Sequence, residues 1–139
     1  MNYQFDRSKS LQELEGKDWS EPTYSSYLVT TCHALRRKPL NQFSVEDLRI
    51  LIGQSIGLGF LIPLALEILA ENPMTGGDYY PGDLLKNVLR INSFFWQENP
   101  ELHQKMRAII FEVESLKKTI EDEILPAAEK FKNLDIFSQ

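Results

Sequence analysis

Apolar positions recur every three or four residues along most of the chain, and strand-type alternation is scarce. The clearest run is the last. Leu102, Met106, Ile109, Val113, Leu116, Ile120 and Ile124 are spaced 4, 3, 4, 3, 4 and 4. Glu101, Gln104, Lys105, Glu112, Lys118, Glu121 and Asp122 fall on the opposite side, giving an amphipathic helix with one solvated face. Asn99-Pro100-Glu101 is its start signal: an N-cap, proline at the first helical position, and an acid in the positive first turn. Pro126 is expected to kink this helix or begin a separate piece, in which Ala127, Ala128, Phe131 and Leu134 continue the apolar side. Too few heptads follow the pattern to prefer a homotypic coiled coil, so the stripe is expected to pack on a central apolar helix.

Upstream, glycines and prolines divide the chain into shorter helical pieces. Ser10-Leu11-Gln12-Glu13 is a capping box and Gly16 a stop. A helix is predicted over Tyr24 to Arg37, closed by Pro39. Ser44-Val45-Glu46-Asp47 opens another, running through Leu48, Leu51 and Ile52. A bend is expected at Gly57–Gly59, with Pro63 in the first turn of a new helix that ends near Glu71. Asn72 to Gly82 reads as a loop, Gly82 to Arg90 as a helix, and Ser93 to Glu98 as a further short one. The expectation is an all-α fold: one domain over 1–139, a compact bundle of about five to seven helices ending in a long C-terminal amphipathic helix.

The stretch Ile50 to Ala70 approaches the length of a membrane span. Gln54, Glu67, Pro63 and three glycines interrupt it, and its unbroken apolar part, Ile56 to Leu66, suits a buried core helix, so no membrane association is expected. With 42% hydrophobic and 25% charged residues in 139, the chain can bury a core without disulfides or metal. A net charge of −5 repels phosphate backbones and favours a basic protein partner, so direct nucleic-acid binding is not expected. The single cysteine, Cys32, fits a reducing compartment, and Met1 to Arg7 carries no signal core, so a cytoplasmic location is expected.

Catalytic patterns are absent. Cys32 and His33 are adjacent on a helix, about 100° apart, and cannot face each other as a dyad; a buried thiol beside a half-exposed imidazole is expected. His33 and His103 are the only histidines, with no zinc spacing, and Gly53-x-x-x-Gly57-x-Gly59 matches no nucleotide loop. No catalytic residue, metal or cofactor is therefore assigned. Arg36-Arg37-Lys38 is read as a complement to a helix C-terminus, and Asp122-Glu123 as a solvated face. Asp78-Tyr79-Tyr80-Pro81-Gly82-Asp83 stands out: two acids flank two aromatics on a loop, a combination suited to recognition. The same residues also admit a structural role, with Asp83 capping the next helix and the tyrosines folding onto the core. In Phe94-Phe95-Trp96 the aromatics are expected mostly in the core, with Trp96 at its rim. The candidate contact residues are Asp78, Tyr79, Tyr80, Asp83, Trp96 and Glu98; the acidic face around Glu112, Glu121 and Asp122 is the second choice.

Three segments together resemble a known family. They are Leu11-Gln12-Glu13-Leu14-Glu15-Gly16-Lys17-Asp18-Trp19; Pro39-Leu40 with Glu46-Asp47-Leu48-Arg49-Ile50-Leu51-Ile52-Gly53-Gln54, continuing through Gly57-Leu58 to Pro63-Leu64-Ala65; and Gly77-Asp78-Tyr79-Tyr80-Pro81-Gly82-Asp83-Leu84-Leu85 with Trp96 behind. In order and spacing, over roughly residues 10 to 98, they are similar to the immunity proteins of bacterial contact-dependent growth inhibition (CDI) systems. The resemblance implies a non-enzymatic protein that binds the C-terminal toxin domain of a large surface protein, as a monomer or in a 1:1 complex. Many such toxins are nucleases, whose clefts attract phosphate and would attract an acidic inhibitor. Without the resemblance, a helical adaptor or regulator of another protein partner fits the residues equally well.

Overall fold

The structure, a computed structural model, describes residues 4–21 and 26–137. Helix is the only extended regular structure among them, and no strand occurs. α1 (Leu11–Glu15) begins at Ser10: the Glu13 N–H donates to Ser10 Oγ at 3.2 Å, and the Ser10 N–H donates back to Glu13 Oε1 at 3.1 Å. Gly16 ends it at φ +67°. α2 (Tyr27–Leu35) is capped by Ser26 and is shorter than the pattern suggested. The predicted start at Tyr24 lies outside the described residues. α3 (Val45–Gly53) begins at the second capping box, Ser44 with Asp47.

Ser55 and Gly57, at φ +58° and +65°, turn the chain into α4 (Leu58–Glu71). The bend thus falls earlier than expected, and Pro63 lies in the second turn of the helix rather than the first. The ring removes the N–H that would bond the Gly59 carbonyl; Gly59 is exposed, so water can take that carbonyl instead. Leu61, Ile62, Leu64, Ala65, Leu66 and Leu69 are all buried, because α3, α5 and α7 pack around this helix. That explains its apolar run. No helix is long and apolar enough to cross a membrane.

α5 (Asp83–Leu89) and α6 (Ser93–Glu98) follow. Phe95 and Trp96 are half-buried, but Phe94 is 66% exposed and outside the core, because a helix of six residues can turn only part of its surface inward. Asn99 makes no side-chain cap on the next helix; its Nδ2 donates to the Phe95 carbonyl at 2.8 Å and closes α6.

α7 (Pro100–Thr119), a π turn (Ile120–Ile124) and α8 (Leu125–Lys132) form one continuous rod, so the helices number seven along the described chain. Pro126 accounts for the π turn. Its ring has no N–H and would strike the Asp122 carbonyl in a regular α-helix. The turn widens, and the Leu125 N–H reaches the Ile120 carbonyl five residues back. Leu102, Met106 and Ile109 pack into the core, with Val113 partly covered. From Leu116 onward the apolar stripe is uncovered. Packing on the central helix therefore explains only the first half of the stripe.

Candidate functional site

The loop between α4 and α5 is built on charges from α3. Glu46 and Arg49, one turn apart, pair through Nε to Oε1 at 2.6 Å and Nη2 to Oε2 at 2.5 Å. Glu46 Oε1 also accepts the Asp78 N–H at 3.0 Å, tying the loop to the helix. Asp83, only 2% exposed, accepts from the Gly77 N–H at 2.6 Å on one oxygen and from the Tyr79 and Tyr80 N–H groups at 3.1 and 3.5 Å on the other. Arg49 Nε lies 3.8 Å from the same oxygen.

Burial works against the ionised form of Asp83, but the three backbone donors and Arg49 outweigh it and hold its carboxyl below the ordinary value. The Arg49 hydrogen bond likewise lowers Glu46, and Glu46 raises Arg49. Gly77 is needed where it stands, because a Cβ there would collide with Glu46 Oε1. Gly82, at φ +93°, brings the chain into α5.

What this scaffold presents is aromatic. Tyr79 is 72% exposed, and its inner face lies on the Arg49 guanidinium, 4.3 Å from ring centre to Cζ. Tyr80 is 47% exposed, with Lys86 Nζ 6.0 Å from its ring centre, and Asp78 is exposed beside them. The structure brings Asp78, Tyr79, Tyr80 and Asp83 together, with Asp83 beneath the surface rather than on it. Asp83 spends its carboxylate on the loop that precedes α5, not on the N–H groups of that helix. Trp96 and Glu98 stand on α6. Trp96 meets Phe95 and His103 at 5.5 and 6.0 Å between ring centres, and Glu98 is exposed.

A polar groove of about 380 Å³ lies beside Tyr79, between α3 and α5, and no local sequence pattern marks it. Arg49, Gln54, Ser55, Asn87 and Arg90 line it. Asn87 Nδ2 donates to the Arg49 carbonyl at 2.9 Å, and Gly53 lets Asn87 come this close. Among the described residues Arg90 carries no ion pair. The surface beside the loop is thus mixed in sign although the chain is acidic.

The other chemistry-bearing residues are used inside the fold. Cys32 is buried, which pushes its thiol up, and half-buried His33 packs edge-on against Trp19 at 5.2 Å. Arg36 does more than complement a helix end. It is 1% exposed, donates to Glu15 Oε1 at 2.5 Å and to the Lys17 carbonyl at 3.1 Å, and stacks on Trp19 at 4.3 Å. Lys38 pairs with Asp47 at 2.6 Å and Arg37 with Glu21 at 3.0 Å. No group of three or more metal-ligating side chains occurs among the described residues.

The profile of the CDI immunity protein family matches residues 13–106, which is more than half of the chain. The chain belongs to that family. No curated protein and no solved structure matches it.

Proposed function

We propose that this protein is a non-catalytic immunity protein that binds the C-terminal toxin domain of its CDI system in the cytoplasm and blocks a nuclease. Family membership supports the immunity role. The net charge of −5 supports a basic partner such as a nuclease domain, whose field would speed association.

The observation that carries the choice of surface is the Asp78–Tyr80 loop: exposed tyrosines held from below by Arg49, Glu46 and buried Asp83. A stiff aromatic on a fixed backbone loses little entropy on binding, which is what an interface anchor needs. Asp78 and Arg90 flank it with opposite charges. Trp96 and Glu98, on α6, are the other part of the proposed contact set.

The test is to measure toxin affinity by calorimetry and Tm on the same variants. Tyr79→Ala and Tyr80→Ala are expected to weaken toxin binding by roughly thirtyfold or more, about 2 kcal/mol. Tm should fall by only a few degrees, because Tyr79 is mostly exposed and Tyr80 about half so. Unchanged affinity with lost stability would make the loop structural and move the interface elsewhere.

A further inference from the structure

Resting on the reading that the α4–α5 loop meets the toxin, we infer that the polar groove beside Tyr79 seats one carboxylate side chain, an Asp or Glu, of that toxin domain. Arg90 supplies the charge, and Ser55 and Gln54 supply further donors.

The groove, about 380 Å³, lies between the ends of α3 and α5. Among the described residues no Asp or Glu lines it, although the chain has 20 acids against 15 lysines and arginines. Its two arginines differ. Arg49 gives Nε and Nη2 to Glu46, and Tyr79 lies on its face, so its charge is already answered. Arg90 is exposed, and among the described residues its guanidinium has no hydrogen bond, ion pair or ring partner. The helix ends do not need it either. At the end of α3 the Ser55 and Ile56 N–H groups donate to the Ile52 and Leu51 carbonyls, both at 2.9 Å. At the end of α5 the Arg90 and Ile91 N–H groups donate to the Asn87 and Val88 carbonyls at 3.2 and 3.4 Å.

Ser55 is a second, independent sign. It has φ +58°, the one non-glycine residue in the left-handed region among those described, at a helix end that ordinarily takes glycine. Its hydroxyl lines the groove and makes no hydrogen bond within the described chain, so nothing inside the fold offsets the strained backbone. The Gln54 amide lines the same groove and is equally without a partner there.

A guanidinium with a hydroxyl and an amide beside it matches a planar carboxylate, which accepts two parallel N–H bonds from arginine and keeps lone pairs for the neighbours. With one surplus charge in open water, the groove would hold a free anion only weakly. A protein that covers Tyr79 also excludes water from the groove, and the same pair then becomes stronger. The occupant is therefore a side chain of the covering protein. Net charge governs the attraction between an acidic chain and a basic toxin, whereas one enclosed pair of the opposite sense fixes how the two surfaces register.

Surface plasmon resonance with the toxin domain of the same CDI system tests this on variants that circular dichroism at 222 nm shows to be folded. Arg90→Gln should raise Kd about tenfold, and Arg90→Glu about a hundredfold or more, through faster dissociation. The sign discriminates. Arg90→Glu makes the chain more acidic, so a merely solvated Arg90 would leave binding to a basic toxin unchanged or tighter, and either result overturns the inference. When the toxin's Asp and Glu residues are changed singly to Lys, one variant should restore binding to Arg90→Glu; if none does, the carboxylate occupant is overturned. Acetate titrated into the free protein should bind no more tightly than about 1 mM, and tighter binding would make this a small-anion site instead and overturn the protein occupant. Ser55→Gly relieves the backbone, so Tm should hold or rise while Kd rises about threefold; an unchanged Kd overturns the part given to Ser55. Tyr79→Ala separates the two readings. If it weakens toxin binding and Arg90→Glu does not, the carboxylate seat alone fails. If neither weakens it, the loop surface fails and the seat with it.

Discussion

Asp83 shows how a single carboxylate can shape a surface it does not reach. Its oxygens hold the backbone from Gly77 to Tyr80, so Asp83→Ala would free three backbone donors and take a neighbouring carboxylate from Arg49. We expect that substitution to cost about 3 kcal/mol, measured by urea unfolding. Asp83→Asn keeps the shape but removes the charge and should cost less. The pH dependence has a definite sign. Asp83 and Glu46 both have folded pKa values below their ordinary 3.8 and 4.5. Their contribution is complete above about pH 4.5 and is lost as pH falls through the lower folded values, when the native state takes up the protons that the unfolded chain already holds. Urea midpoints should fall more steeply below pH 4.5 in the wild type than in Asp83→Asn.

Among the elements, the junction of α3 and α4 is where local conformation and packing coincide. Gly57 has φ +65° and begins α4, and a Cβ there would lie 2.7 Å from Leu11 Cδ1, in the core. Gly57→Ala meets both backbone strain and a clash with a fully buried side chain, so a loss of about 2 to 3 kcal/mol is expected in thermal or urea unfolding. Gly59→Ala is the control. Its Cβ meets nothing within 4 Å and its φ is not in the left-handed region, so stability should be unchanged or slightly raised. If Gly57→Ala were as mild as the control, the left-handed entry into α4 would be wrong.

For the whole molecule, charge and shape act together. An acidic chain that meets a basic toxin domain should associate quickly at low salt and more slowly as ions screen the field. We expect the association rate, read by stopped flow, to drop about tenfold or more between roughly 20 and 300 mM salt, with a much smaller change in dissociation. A rate that ignores salt would remove charge from the account of partner choice. Long-range attraction acts before contact; on the proposed reading, in which the tyrosines of the α4–α5 loop meet the toxin, their loss should appear in dissociation instead.

The sequence by itself determined which segments are helical and where most of them stop. The Ser10 and Ser44 boxes, the stop at Gly16, and the spans of α5 and α6 follow from residues within a few positions of one another, because the helical period and its caps are local. It also marked Asp78 to Asp83 as unusual, but it left recognition and support unseparated. The tertiary structure decided that Asp83 lies beneath the loop, because Arg49 meets it there and Glu46 ties down Asp78, both from more than thirty residues earlier. It decided that Arg36 is a core residue, since Glu15 and Trp19 close over it. It put Pro63 inside α4, where an exposed Gly59 makes the lost hydrogen bond tolerable. It also decided where the long apolar stripe ceases to be covered. The pattern from Leu102 to Ile124 is uniform, but α4 ends at Glu71 and reaches only part of it. Periodicity records that a face is apolar; what covers that face depends on where distant segments come to rest.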